Sequence, residues 1–256
     1  MAPNFMKALV FQGPKQFEVK EVPIPQCGED EMLVRVRFAG VCGTDNRIYQ
    51  GTKVIAAPRI TGHEFSGTIE RLGSHVKGYQ LGQRVSVYPM LYCGHCYCCR
   101  EGRTNICVNR TTIGYEIDGG FAQYVKIPKR AIECGNVVPI PDNVSDEIAA
   151  ISEPIAAAYH GMQQAGLRDG ETFVIIGAGP IGLFHTQLSR SVNLARRIVI
   201  EPIPEKRKMA LEMGADLVID PAAQDAKAVI FEQTGGQGAD AVIVDVGVTS
   251  ALEQSL

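Results

Sequence analysis

Eight cysteines are spread unevenly along the 256-residue chain, and five of them fall between Cys93 and Cys107. Cys93, Cys96, Cys99 and Cys107 follow the pattern C-x2-C-x2-C-x7-C, which puts four thiolates on one short loop. Four sulfur donors with no open position describe a closed tetrahedral zinc site of the structural kind. Cys98 in place of Cys99, or a nitrogen of His95, also fits that spacing. A second set is dispersed: Cys42 at a strand end, His63-Glu64 after Gly62, and Glu153 at a helix start. Thiolate, imidazole and carboxylate together suit a catalytic zinc that keeps an exchangeable position. A third pattern is Gly177-Ala178-Gly179-Pro180-Ile181-Gly182, which follows an apolar strand and opens a helix. That is the context a dinucleotide fingerprint requires. Gly177 permits the turn, Gly179 the approach of a pyrophosphate, and Gly182 close helix–strand packing, while free N–H groups at the helix start face the phosphates. Glu201 ends the next strand, nineteen residues after Gly182. An acid there accepts hydrogen bonds from ribose hydroxyls and repels a 2′-phosphate, so NAD is expected rather than NADP.

Two kinds of element must position these groups. Residues 5–140 hold short alternating or β-branched runs at Lys7–Phe11, Phe17–Val22, Met32–Phe38, Gly67–Arg71, Arg84–Tyr88 and Phe121–Ile127, punctuated by Gly and Pro. Such spacing predicts a compact β-rich domain over 1–150. From about residue 145 the pattern changes. Ser145 caps a helix over Asp146–Ile151, and a second helix runs from Pro154 to about Ala165, where Gly166 stops it. Apolar strands at Phe173–Ile176, Ile198–Ile200, Leu217–Ile219 and Ala241–Val244 then alternate with helices at Ile181–Val192, Glu205–Met213 and Ala226–Gln233. This predicts a doubly wound parallel sheet over 151–256, an α/β fold overall. A six-stranded dinucleotide-binding sheet is started here and not finished, so the chain reads as truncated at its C-terminus.

Composition narrows the partners. Apolar residues make up 45% of the chain, enough for packed cores. A net charge of -3 with scattered basic residues gives no reason to expect nucleic acid or an anionic membrane as a partner. No apolar stretch has the length of a membrane span, and no signal peptide is evident, so a cytoplasmic location is expected. In a reducing compartment, clustered cysteines point to metal rather than to disulfides.

With these three patterns in view, the chain resembles the zinc-containing medium-chain alcohol dehydrogenase family along essentially its whole length. Gly62-His63-Glu64, the cysteine quartet, and Gly119-Gly120-Phe121-Ala122 with Tyr124-Val125 carry the likeness. Glu153-Pro154 and Cys42-Gly43-Thr44-Asp45 are similar to the sorbitol, butanediol, threonine and sugar-alcohol-phosphate branch. The resemblance implies a GroES-like catalytic domain followed by a Rossmann domain, one catalytic and one structural zinc, NAD, and a small alcohol as substrate. It implies Cys42 and His63 as ligands, with Glu64 and Glu153 sharing the remaining positions directly or through water. It further implies Thr44 as the hydroxyl that takes the alcohol's proton, Asp45 as the acid that orients His63, and Lys206 as a contact to the adenosine ribose. The resemblance also implies that full-length members are homo-oligomeric. Arg47 stands where a proton-relaying histidine is common, and its guanidinium suits a phosphate instead. The expected reaction is hydride transfer from a secondary alcohol, polyol or sugar-alcohol phosphate to NAD, with L-threonine or butanediol as the alternative substrate. An inactive zinc- and nucleotide-binding relative and a zinc-only interaction module are the readings of another class.

Overall fold

The computed structural model describes residues 4–247 and 249–254. The chain divides into two compact units between Glu153 and Pro154. The first contains β1 (Phe5–Gly13), β2 (Gln16–Pro23), β3 (Met32–Gly40), α1 (Gly43–Gln50), β4 (Arg59–Ile60), β5 (Glu64–Leu72), β6 (Arg84–Val87), β7 (Met90–Leu91), α2 (Tyr97–Arg100), β8 (Thr111–Thr112), β9 (Tyr124–Ile127), α3 (Lys129–Glu133), β10 (Val137–Pro139) and α4 (Asp146–Ala150). An antiparallel sheet β10-β6-β5-β3-β9 is its centre, flanked by β2-β1-β4 and by the pair β7-β8. Alternating residues of β3, β5, β6 and β9 bury Met32, Val34, Phe65, Ile69, Val85, Val125 and Ile127 in one core. A smaller core forms on β1 from Met6, Ala8 and Val10.

The run Phe121–Ile127 is not one strand. Its first half leaves the central sheet: the Phe121 carbonyl accepts from Leu9 N–H at 2.8 Å, and Gln123 N–H donates to the Lys7 carbonyl at 3.2 Å. Tyr124–Ile127 pairs with β3, and the Gln123 carbonyl, at the changeover, accepts from Val36 N–H of β3 at 2.9 Å. The segment thus stitches two sheets together, which alternation alone does not reveal.

In the second unit, after α5 (Ser152–Ala165), the elements are β11 (Thr172–Ile176), α6 (Pro180–Leu188), β12 (Arg196–Ile200), α7 (Pro204–Met213), β13 (Leu217–Ile219), α8 (Ala226–Gln233), β14 (Ala241–Val244) and α9 (Thr249–Gln254). All strand pairs are parallel, in the order β13-β12-β11-β14. The reversal between β12 and β14 around β11 creates the switch point at which such sheets bind ligands beyond their strand ends. All five residues of β11 are buried, as a strand covered on both faces requires. The helix expected over Ile181–Val192 ends at Leu188 and passes into a 3-10 turn at Ser189–Ser191. There the Ser189 and Ser191 hydroxyls donate to the carbonyls of Thr186 and Leu188, both at 2.8 Å. Such local bonds compete with helix continuation.

Candidate active site

Cys42 is not the last residue of a strand: β3 stops at Gly40, and Cys42 is the N-cap of α1. Cys42 N–H donates to Asp45 Oδ2 at 2.9 Å, and Asp45 N–H donates to the Cys42 carbonyl at 3.0 Å. These reciprocal bonds fix the Asp45 side chain and the Cys42 backbone at the first turn. Gly51, at φ 78, closes the helix. The polar run from Gly43 to Gln50 hides this helix, because only Asp45 and Ile48 are buried along it. Strand β5 starts at Glu64, earlier than its apolar residues indicate, so it brings Glu64 alongside Gly40 of β3. A Cβ at Gly40 would lie 2.3 Å from Glu64 Oε2, so the carboxylate occupies the space that this glycine leaves. Gly62, at φ 89, packs under Phe121 and turns the chain so that His63 faces inward.

Donor atoms of Cys42, His63 and Glu64 all lie within 4.8 Å of one another. Glu153 stands outside this set, yet close enough for the Glu64 charge to act on it. Burial pushes the Glu153 carboxyl up, and the Glu64 charge adds to the rise. Burial likewise raises Glu64, with the neighbouring Asp45 adding to it and a hydrogen bond from Cys42 opposing it. Burial raises the Cys42 thiol and the Asp45 carboxyl, and lowers His63. The site therefore holds three acids and a thiol that repel one another's ionised forms, beside an imidazole driven neutral. His63 Nδ1 and Asp45 Oδ1 are both buried without a hydrogen-bond partner, 3.9 Å apart. A divalent cation would compensate this set by favouring thiolate, carboxylate and neutral imidazole at once, so the residues present fit a zinc.

Thr44 lies in the first turn of α1 and hydrogen-bonds toward the Cys42 sulfur and the Tyr115 phenol. Tyr115 has no place in the sequence reading. Its hydroxyl is 3.4 Å from His63 Nε2, and the two rings are 5.1 Å apart. Burial pushes this phenol far up, beyond the range in which it ionises, so it can only donate or accept a hydrogen bond. Arg47 is exposed, and among the described residues it enters no ion pair.

In the cysteine loop the sulfurs of Cys93, Cys96, Cys99 and Cys107 come together, and those of Cys98 and the ring of His95 do not. Sγ–Sγ separations are 3.4 Å for Cys96–Cys99, 3.8 Å for Cys96–Cys107 and 3.9 Å for Cys93–Cys99. Four sulfurs around a tetrahedral zinc at ~2.3 Å lie ~3.8 Å apart, so this cage fits the ion as it stands. Backbone N–H groups, from His95 foremost, lower Cys93 to about 5, whereas desolvation raises Cys99 to about 12. Arg130 anchors the loop through bonds to the Tyr92 and Asn109 carbonyls at 2.7 and 3.0 Å. His95 is turned to the Cys93 carbonyl, 2.8 Å from its Nδ1.

In the second unit the glycine turn joins β11 to α6, with Gly179 as N-cap and Pro180 as the first helical residue. A Cβ on Gly182 would lie 1.9 Å from the Gly177 carbonyl oxygen, the closest approach of helix to strand. Around Gly179 there is open space. Glu201 is buried, and both of its oxygens serve the chain: Oε2 accepts from Ala178 N–H at 2.8 Å and Oε1 from Ile203 N–H at 2.9 Å. Its carboxylate thus ties the glycine turn to β12, and its remaining lone pairs are what a ribose would use. Lys206 lies half-buried on α7 with no ion pair among the described residues, while the neighbouring Arg207 bonds to the Glu201 and Pro202 carbonyls and to Asp220. His185 and Asp245, absent from the sequence reading, meet at 2.8 Å behind the turn.

Residues 28–142 match the alcohol dehydrogenase GroES-like domain family, and residues 180–256 match the zinc-binding dehydrogenase family. The chain is 39% identical over 233 residues to the L-threonine 3-dehydrogenase of Mesorhizobium japonicum, covering 89% of this chain and 66% of that protein. It is 36% identical over 257 residues to the sorbitol dehydrogenase of Halalkalibacterium halodurans, covering 98% of this chain and 73% of that one. The solved structure of the alcohol dehydrogenase rspB from Escherichia coli CFT073, complexed with NADH, superposes with a TM-score of 0.89 at 33% identity. That match covers 99% of this chain and 73% of the other. The chain therefore spans about two thirds to three quarters of the length of these relatives.

Proposed function

The chain belongs to the zinc-containing medium-chain alcohol dehydrogenase family, and on that premise we propose that it removes a hydride and a proton from a secondary alcohol, with zinc and NAD as cofactors. One observation carries the reading: the donor atom of Cys42 converges within 4.8 Å of those of His63 and Glu64, although α1, a loop and β4 separate it from that pair in sequence. Cys42 and His63 hold the metal, and Glu64 and Glu153 supply the carboxylates beside it. A zinc held there would supply Lewis acidity that lowers the pKa of the alcohol hydroxyl, and NAD would supply the hydride acceptor.

The chain's own residues do the rest. Thr44 accepts the alcohol proton on its hydroxyl oxygen while releasing its own proton outward to solvent water, and Tyr115, held protonated, keeps that hydroxyl oriented. Asp45 aligns His63 from behind, its other oxygen being fixed by the Cys42 N–H. The cysteine loop holds the second zinc as a structural ion. Glu201 shapes the turn on which the pyrophosphate rests and selects NAD, Lys206 contacts the adenosine ribose, and Arg47 takes up a phosphate.

Proteins similar to this one are named for L-threonine, sorbitol, 2R,3R-butanediol and galactitol 1-phosphate. The test is alcohol-dependent NADH formation by the zinc-loaded protein with these four substrates, with and without a chelator, and in the His63→Ala variant. Chelator-sensitive turnover that the variant lacks supports the reading. No NADH from any secondary alcohol, or turnover indifferent to both chelator and variant, refutes it.

A further inference from the structure

Beside the site stands Lys53, a cation that enters no ion pair among the described residues. Lys53 follows α1 closely, and its backbone N–H donates to the Arg47 carbonyl at 3.1 Å, beside that of Thr52 at 2.9 Å. This doubled bond closes the segment onto the helix end. The side chain is half-buried, and its Nζ lies 4.1 Å from the centre of the Tyr115 ring. Ring centres of Tyr115 and His63 are 5.1 Å apart, so the ammonium is within about 9 Å of the His63 ring. Its charge acts on His63, lowering it further. Among the described residues every other partner of this ammonium is missing from the ion pairs, although the first unit is rich in acids.

We propose that Lys53, seated on the Tyr115 ring, is a specificity residue that binds an anionic group on the substrate, so that the preferred substrate is a secondary alcohol bearing a carboxylate or a phosphate ester. This rests on the reading of the site as an alcohol dehydrogenase and names its substrate class. The aromatic face supports the ammonium without neutralising it, which leaves the full charge for a ligand. Partial burial also removes competing water from one side of the ammonium, which strengthens any pairing there. The reach is suitable. A hydroxy acid or polyol phosphate carries its anion two to five bonds of about 1.5 Å from the carbinol oxygen, a span that fits between His63 and the ammonium. A neutral polyol leaves this charge unanswered.

Isothermal titration calorimetry on the zinc-loaded chain tests this with 3-hydroxybutyrate, glycerol 3-phosphate and the neutral 1,3-butanediol. Affinities are compared among the unaltered protein, Lys53→Met, Lys53→Glu and Lys53→Arg. The expected result is a preference for at least one anion over the diol that falls tenfold or more in Lys53→Met, falls further in Lys53→Glu and survives in Lys53→Arg. Whichever anion shows it, carboxylate or phosphate, identifies the group. An anion-to-diol ratio that stays within twofold across all four proteins, or no anion preference to begin with, overturns the proposal. Calorimetry also separates it from the function: binding discrimination without NADH formation defeats the dehydrogenase reading alone, and turnover without discrimination defeats Lys53 alone.

Discussion

Gly179 and Gly182 belong to one turn, yet their geometry assigns them opposite consequences when each is changed to alanine. At Gly182 the added methyl would sit 1.9 Å from the Gly177 carbonyl oxygen, whereas ordinary contact begins at 3.4 Å. Helix α6 must therefore retreat from β11 by about 1.5 Å, and the obstacle is backbone, which cannot swing aside. Overpacking of this kind costs about 1–3 kcal/mol. For a unit of roughly 100 residues, each kcal/mol moves the melting temperature by about 4–8 °C, so Gly182→Ala should melt about 5–20 °C lower in its second unit. At Gly179 nothing lies within 4 Å, and φ -71 with ψ 179 is a conformation any residue adopts. Gly179→Ala should melt as the parent does, or slightly higher through loss of unfolded-state freedom. It should still bind NAD at least about tenfold more weakly, a loss of about 1.4 kcal/mol, because the methyl fills the path of the pyrophosphate. Scanning calorimetry with titration of NAD separates the two effects. Unchanged NAD affinity in Gly179→Ala would mean the phosphates rest elsewhere. An unchanged melting temperature in Gly182→Ala would mean the helix is not held against the strand as described.

Two further outcomes concern the metal sites. Cys107→Ser should lower the bound zinc, measured by atomic absorption, from two ions per chain to one, while Cys98→Ser should keep both, since only the former belongs to the sulfur cage. Equal zinc loss in both variants would contradict that division. The pH dependence of the chelated protein follows from the raised carboxyls at Asp45, Glu64 and Glu153. A group whose folded pKa is raised contributes stability that is full below its ordinary value, 3.8 for Asp45 and 4.5 for the glutamates, and is lost as pH rises through the folded value. His63, lowered from 6.5, works the other way: its contribution is present above 6.5 and is lost as pH falls through the folded value. With three acids against one imidazole, the chelated first unit should lose melting temperature from acid toward neutral pH. Glu64→Gln with Glu153→Gln should flatten that slope, and an unchanged slope would show that these carboxyls do not titrate as a buried set.

Where each functional group would sit was legible in the sequence when the signal was local. The cysteine quartet is a single loop, so spacing was enough to name Cys93, Cys96, Cys99 and Cys107, although Cys98 was separated only by the turn of α2 that points it elsewhere. The glycine turn was equally plain because strand, turn and helix follow one another directly. Tyr115 and Lys53 were not legible. Neither belongs to a spaced motif, and they meet only because the bend between Gly114 and Gly119 folds back over the Gly62 backbone, where added Cβ atoms would lie 2.8 and 2.2 Å from the Gly62 oxygen. Helix α1 escaped notice for another reason: its surface is polar nearly all round, so the reciprocal bonds of Cys42 and Asp45, rather than a hydrophobic stripe, define where it begins.

Gly40 shows how a residue without chemistry of its own shapes the proposed metal site. Its missing Cβ leaves the space that Glu64 Oε2 fills, and an alanine there would stand 2.3 Å from that oxygen. Unlike the carbonyl facing Gly182, this obstacle is the free end of a flexible side chain, and the next neighbours, Glu64 Cβ at 3.2 Å and Ile151 Cγ2 at 3.3 Å, need to yield only slightly. Gly40→Ala should therefore fold with a stability within about 1 kcal/mol of the parent, since the carboxylate rotates away and the sheet stays. That rotation, however, takes Glu64 from Cys42 and His63. Misplacing a group that supports a metal site costs about 10–100-fold in affinity, so the catalytic zinc should be lost to competing chelator first while the cysteine loop keeps its ion. A Gly40→Ala protein that retains both zincs against chelator as well as the parent does would show that Glu64 stands beside the site without contributing to it.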